Sequence, residues 1–199
     1  MSVAVITYDH GMSRWEPDAR GRLGMAAMEL YLERGFEQTT VADIAERAGL
    51  TERTFFRHFT DKKEVLFVGQ DGFQSLFLTA VTDAPIDASP YEIIDRVLQG
   101  AAEFFEPGRA FSMQRARIIN ANPALEEREL IKMANLKLAL AASLRERGMA
   151  EPAASLTGET AVSVFHIAFA TWIREDNERA FSQIASDLLA ALTLVTTAG

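Results

Sequence analysis

The sequence predicts an all-α protein in two parts, an N-terminal three-helix helix-turn-helix domain followed by a C-terminal helical bundle, with about nine helices in all. Three observations predict it. Apolar residues recur at helical spacing along the chain, and no alternating run of any length suggests a strand. Two short amphipathic segments meet at a tight glycine turn within residues 36–66. Proline, glycine and capping residues then divide the remainder into helix-length pieces.

The first helix is expected over residues 17–34, with Pro17 favouring its first turn, Leu23, Ala27, Leu30 and Arg34 marking its spacing, and Gly35 ending it. Gly24 inside it costs roughly 1 kcal/mol relative to alanine, which predicts a frayed start. The second helix begins after Thr40, whose hydroxyl can cap orphan amides with Asp43 as its partner. Val41, Ile44, Ala45 and Ala48 then share one buried face. Gly49 is the left-handed stop, Leu50 plugs the turn, and Thr51 caps a third helix over residues 52–58. Phe55 and Phe59 anchor that helix inward, while Arg53, Thr54 and Arg57 point elsewhere.

Asp61 and Glu64 form a further capping pair, opening a helix expected over residues 62–81 and shared by both domains. Residues 84–88 are the clearest break. Ser89, Pro90 and Glu92 then open a helix to about residue 105, which Pro107 and Gly108 stop. A shorter helix follows over 109–120, and Asn122 and Pro123 cap a long one over 123–147 with Ile131, Ala134, Leu138 and Ala141 on one face. Gly148 and Pro152 separate it from two final helices, about 154–174 and 178–196, the second capped by Asn177 or Asp176. The domains that follow are a flexible tail over residues 1–16, a helix-turn-helix domain over 17–68, and a helical domain over 69–199.

The hydrophobic share of 48% across 199 residues suffices for a sizeable core. The absence of cysteine excludes a disulfide framework and any thiolate metal site, and is compatible with a reducing cytoplasm. The apolar start has no basic region before it and is too short to span a bilayer, so a soluble intracellular protein without a membrane partner is expected. The net charge of −8 sits awkwardly with a nucleic-acid partner, but its distribution matters more than its sum. Residues 47–63 hold Arg47, Arg53, Arg57, Lys62 and Lys63 against Glu52 and Asp61, a local excess of +3, whereas residues 69–199 carry eleven cations against seventeen anions. The acidic part is expected to face away from DNA.

No catalytic constellation assembles. His10, His58 and His166 are isolated, and there is no glycine-rich phosphate loop, no G-x-S-x-G elbow and no Glu-x-x-His pair, so neither an enzyme nor a metal or other cofactor is expected. Arg53 and Thr54 instead lie early on the second helix of the helix-turn-helix, whose N-terminal residues face base edges. Arg53 has two readings, a bidentate bond to guanine or a contact with phosphate or solvent. His166, in an apolar helix, reads as a buried core histidine or as a ligand contact.

Arg22, Ala26, Ala27, Gly35, Phe36, Thr40, Ile44, Ala45, Ala48, Gly49, Leu50, Thr51, Thr54, Phe55, Phe56, His58, Phe59 and Lys62 fall in the order of a family pattern. At these residues the chain resembles the TetR family of transcriptional repressors. The resemblance covers residues 17–68 and, beyond them, a general helical pattern. It implies a homodimer that binds a palindromic double-stranded DNA operator and is released by a small-molecule effector held in the second domain. It assigns phosphate contacts to Thr51, His58 and Lys62, and to a tyrosine where this chain has Phe56, which cannot donate that bond. Thr40, Arg53, Thr54 and Arg57 complete the expected DNA-binding set. The run 115–148 is similar to the C-terminal domain of actinobacterial TetR-type regulators, among them the mycofactocin-system repressor, which answers to acyl-CoA.

Helical bundles hold ligands between helices in mainly apolar pockets with a few polar groups. The candidates here are Phe104, Phe111, Gln114, Arg117, Ile118, Met133, Phe165, His166, Phe169 and Trp172, with an apolar or amphipathic effector and Arg117 as anchor for an anionic end. Plain core is the alternative for each aromatic, and an ion pair with Glu103 or Glu126 the alternative for Arg117. Small residues beside large ones on the last two helices, Ala161 and Ala168 with Leu189 and Leu192, suit close helix approach. They can join two subunits or close the monomer's own core, and the family resemblance favours the dimer.

Overall fold

The computed structural model describes residues 19–197, so the expected tail over residues 1–16 and the first residues of the first expected helix lie outside it. Among the described residues there are nine α-helices, two short 3-10 turns and no strand. The chain divides into two compact units between Val68 and Gly69.

In the first unit, α1 (Ala19–Arg34) buries Leu23, Ala26, Ala27, Leu30 and Tyr31, one helical stripe. Gly35, at φ +85°, ends it. Helix α2 (Val41–Arg47) opens on the expected capping box. Thr40 Oγ1 accepts the Asp43 amide at 3.2 Å and the Asp43 carboxylate accepts the Thr40 amide at 2.8 Å. It closes in a Schellman turn at Gly49, φ +64°, where the Gly49 amide donates to the Glu46 carbonyl and that of Leu50 to the Ala45 carbonyl. Thr51 then caps α3 (Glu52–His58), its hydroxyl accepting the Thr54 amide. Leu23, Ile44 and Phe55 are fully buried where these helices meet.

The single helix expected over residues 62–81 does not form. Glu64–Phe67 is a 3-10 turn, Val68 and Gly69 form a turn with Gly69 at φ +89°, and α4 (Gln70–Thr82) follows. The physical reason is burial on every side. Val65, Leu66 and Phe67 are consecutive and all buried, which one stripe of an α-helix cannot achieve, and Gly69 permits the left-handed residue that restarts the chain. Asp61 still caps, but it caps this turn, accepting the Lys63 and Glu64 amides at 2.7 and 3.2 Å.

The second unit follows with α4, α5 (Pro90–Phe105), α6 (Arg109–Asn120), α7 (Pro123–Glu146), α8 (Ala153–Trp172) and α9 (Phe181–Thr197). Ser89 and Glu92 form the predicted capping box of α5. Asn122 does not cap α7; its amide donates back to the Ile118 carbonyl at 2.6 Å, closing the end of α6. Asn177 likewise binds the Trp172 and Arg179 carbonyls within its loop, and the Ser182 amide in the first turn of α9 is met by Glu106 at 2.9 Å. The core is aromatic at its centre. The Phe165 ring lies 5.2 to 5.9 Å from the rings of Phe73, Phe77, Phe105, Phe169 and Phe181. No helix of the described residues is long and apolar enough to cross a membrane.

Helices α7 and α8 touch through backbone at Gly158, where a Cβ would stand 3.0 Å from the Lys137 carbonyl oxygen and 3.2 Å from the Ala141 nitrogen. Gly158→Val is expected to force these helices apart and lower the unfolding free energy by about 1–3 kcal/mol, the usual cost of overpacking. Denaturant titration reads this; unchanged stability would mean that the contact is looser than described.

Candidate nucleic-acid interface

Helix α3 has two faces. Phe55 and Phe59, with rings 5.4 Å apart, are buried, so Arg53, Phe56 and Arg57 at i, i+3 and i+4 are carried outward and exposed. Thr51 and Thr54 sit at its start with their hydroxyls 3.1 Å apart. Thr40 is exposed but its hydroxyl is occupied, donating to Asp43 at 2.6 Å. These hydrogen bonds from Thr40, with Arg34 at 3.2 Å adding its charge, hold the Asp43 carboxyl below the usual carboxylate range.

Arg47 does not face outward as a free cation. It bridges Glu29 at 3.1 Å and Glu33 at 2.8 Å on α1, and its hydrogen bond holds the Glu33 carboxyl below the usual range.

The expectation for Lys62 is corrected more sharply. Its ammonium donates to the carbonyls of Phe36, Thr39 and Glu37 at 2.9, 3.1 and 3.4 Å and lies 4.3 Å from the centre of the Phe36 ring. An ammonium has three donors. All three are directed into the loop between α1 and α2, the side chain is half-buried, and the element that starts beside it is a 3-10 turn and not the expected α-helix. The Lys62 carbonyl is held in turn by the Tyr31 hydroxyl at 2.7 Å, and burial pushes that hydroxyl's pKa well above the usual range. The His58 expectation is narrowed too. Nε2 is shut away from solvent and has no hydrogen-bond partner among the described residues, so this nitrogen offers nothing to DNA. Sequence reasoning missed Tyr31, and it placed Arg22 in the family pattern without a role; Arg22 donates to the Ala48 carbonyl at the helix-turn-helix corner. No local signal points to either, because both partners lie far along the chain.

In the second unit the ligand candidates separate. Phe165, Trp172 and Ile118 are buried, and Phe104, Met133 and Phe169 are half-buried against the core. Phe111, Gln114, Arg117 and His166 are exposed, so His166 is not the core histidine the apolar helix suggested. Arg117 pairs with Glu175 rather than with Glu103 or Glu126. Arg109, which was not singled out, donates to the Trp172, Arg174 and Asn177 carbonyls at 3.1, 2.8 and 2.7 Å, and Arg147 to those of Thr82, Ala84 and Pro85. Arg147 stands at the end of a helix just before Gly148, where the rule of C-terminal cations finds it.

The residues chosen for a dimer interface are corrected. Ala161, Ala168 and Leu189 are buried in the monomer's own core, with Leu192 packed against it. Small size allowed both outcomes, and here it serves the packing of α8 and α9 within one chain. The outward residues of these helices are others: Ser163, His166, Ile167 and Ala170 on α8, and Ala190, Ala191, Leu194 and Val195 on α9.

A capped helix, a Schellman turn at glycine and a second capped helix presenting arginines outward define a helix-turn-helix DNA-binding unit. Residues 25–68 match the family of bacterial regulatory proteins described as the tetR family. Residues 25–68 are thus a DNA-binding domain of the tetR type, and the chain is similar to transcriptional regulators of that family. It is similar to the transcriptional regulator TcmR of Streptomyces glaucescens, 33% identical over 114 residues, which are 53% of this chain and 50% of that protein. It is also similar to the repressor KstR2 of Mycobacterium tuberculosis, 31% identical over 88 residues, 44% of each chain. The matched segments thus span about half the length of these curated relatives or less. They are regulators of transcription rather than enzymes. In fold, the chain resembles FadR of Bacillus subtilis, solved in complex with stearoyl-CoA, with a TM-score of 0.62 at 17% identity over 86% of this chain and 96% of that one.

Lys62→Met is expected to remove a structural clamp. Unfolding free energy should fall by about 1.5–3 kcal/mol, the range for hydrogen bonds to a charged group, while the salt slope of DNA binding stays where it was. Denaturation and salt-dependent duplex titrations check this together. Unchanged stability with a slope lower by roughly one would return Lys62 to a phosphate.

Proposed function

We propose that this protein is a one-component transcriptional repressor that binds a near-palindromic operator as a homodimer and is released by an apolar or amphipathic effector. The observation that carries the reading is the outward face of α3, where Arg53 and Arg57 stand exposed over the fully buried Phe55. A helix so placed enters the major groove, and two-fold protein symmetry calls for two-fold DNA symmetry. The effector reading is supported by Phe104, Met133 and Phe169, half-buried at the edge of an aromatic core, which is the lining expected of an apolar ligand site. FadR, similar in fold, is a regulator in complex with stearoyl-CoA, so long-chain acyl thioesters belong in the first panel of compounds. A ligand would release DNA only by binding better to the arrangement in which the recognition helices are mis-spaced.

A second reading, a regulator that binds DNA without an effector, is favoured by one observation. The polar groups expected to orient a ligand, Gln114, Arg117 and His166, face outward, and Arg117 is taken by Glu175. Gel-shift assays with the compound panel separate the readings: release of the DNA-bound band supports the first, and no release by any compound supports the second.

Subunits are proposed to meet through the outer faces of α8 and α9, where Ile167 is 53% and Leu194 71% exposed beside small residues. Ile167→Glu combined with Leu194→Glu is expected to give folded monomer by light scattering. A persistent dimer would move the interface elsewhere. For DNA, Arg53→Ala is expected to lose about 1–3 kcal/mol of discrimination between operator and scrambled duplex; a variant that weakens both duplexes equally would reduce Arg53 to a phosphate contact.

A further inference from the structure

We infer that Phe56 is a specificity-determining residue that reads the C5-methyl group of a thymine in the major groove, an inference that rests on the DNA-binding reading of α3. Three observations support it. Phe56 is 56% exposed although its neighbours Phe55 in α3 and Phe59 just beyond it are buried, so the ring is not there for the core. It shares its face with the exposed Arg53 and Arg57, one turn and one residue away, so a duplex that engages these arginines is brought against the ring. And the ring is held in place, edge to face with the buried Phe55 at 5.4 Å between centroids and 80° between planes.

The chemistry selects the partner. A phenyl ring donates no hydrogen bond, so a phosphate oxygen gains nothing from it. Among the groups that base pairs present in the major groove, one is apolar, the thymine methyl. A ring that is already positioned covers that methyl without ordering a flexible side chain, which favours a sharp preference over a diffuse hydrophobic contact. Cytosine at the same position offers an amino group to the ring and no methyl.

The test uses the full-length protein and an operator duplex recovered by capture of genomic fragments. Each thymidine is replaced singly by deoxyuridine, which removes the methyl and nothing else. Affinity should drop about four-fold at one position per half-site, the value of burying one methyl-sized group, and a cytosine placed there should regain the loss when it carries a 5-methyl group. Phe56→Ala should bind the operator with the same response to every deoxyuridine, and Phe56→Leu should keep part of the discrimination. Because Phe56 is exposed, both variants should unfold at the wild-type temperature, which separates lost recognition from lost fold. Operator preference intact in the wild type but indifferent to every deoxyuridine would overturn the inference and leave the DNA-binding reading standing. A Phe56→Ala protein that still discriminates at the same thymine would overturn it as well. No preference for the operator over scrambled DNA would overturn both.

Discussion

The Lys62 ammonium is the fixed point of the DNA-binding unit. Helices α2 and α3 have seven residues each, and helices below about 12–15 residues are marginal in water, so neither persists without tertiary support. Lys62 lies four residues beyond α3 and reaches back to the Phe36, Glu37 and Thr39 carbonyls, while Tyr31 on α1 holds its own carbonyl. One residue therefore joins the exit of the recognition helix both to the end of α1 and to the loop that starts α2. The turn between the short helices is fixed separately by the Gly49 cap and by Arg22 on the Ala48 carbonyl. Held at both ends, α3 has little freedom to rotate, and the direction in which Arg53, Phe56 and Arg57 point becomes a property of the fold.

The same device recurs in the second unit, where helix ends leave carbonyls without intrahelical partners. Arg109 collects those beyond the end of α8, and Arg147 those beyond the end of α4. In each case a guanidinium fork meets the negative end of a helix and takes three carbonyls at and beyond it. Both arginines act over more than 60 residues of sequence, so they fix tertiary positions as well as local ends. Between these clamps the core is set by two different requirements, the aromatic cluster around Phe165 and the near-backbone contact at Gly158.

Much of this was legible in the sequence where the governing interaction is local. Thr40 with Asp43, Ser89 with Glu92, Gly49 and the span of α3 are all fixed by residues within a turn of one another, and local rules find them. Asn122 and Asn177 looked like caps by the same rules, yet Asn122 spends its amide on a carbonyl of the preceding helix and Asn177 on carbonyls of its own loop and of the end of α8, because an asparagine can serve either side of a loop. The break at Gly69 was hidden for another reason: Val65, Leu66 and Phe67 read equally well as a buried helix, and only their joint burial excludes one. Lys62 looked like a phosphate contact and Arg47 counted toward the local positive excess, because sequence reveals charge but not the loop carbonyls and α1 carboxylates that meet them. Ala161, Ala168 and Leu189 were assigned to the wrong surface, since small-next-to-large patterning is the same for a helix packed within its own chain as for one packed on another.

These pairings change how an acidic chain can recognise DNA. The sequence excess of +3 over residues 47–63 overstates what α3 and its surroundings present, because Arg47 is neutralised by two glutamates and the Lys62 donors are withdrawn into the loop. The second unit adds six more anions than cations. Phosphate neutralisation supplies essentially all of the affinity for non-specific DNA, so this arrangement keeps that background weak. On the proposed reading of α3, groove contacts by Arg53, Arg57 and Phe56 would not be reduced in the same proportion, because they depend on base edges more than on backbone charge. What matters among many competing sites is the ratio of specific to non-specific binding rather than either alone. On that reading, a unit that ties up its spare cations internally and presents two arginines beside an exposed phenyl ring would raise that ratio from the denominator.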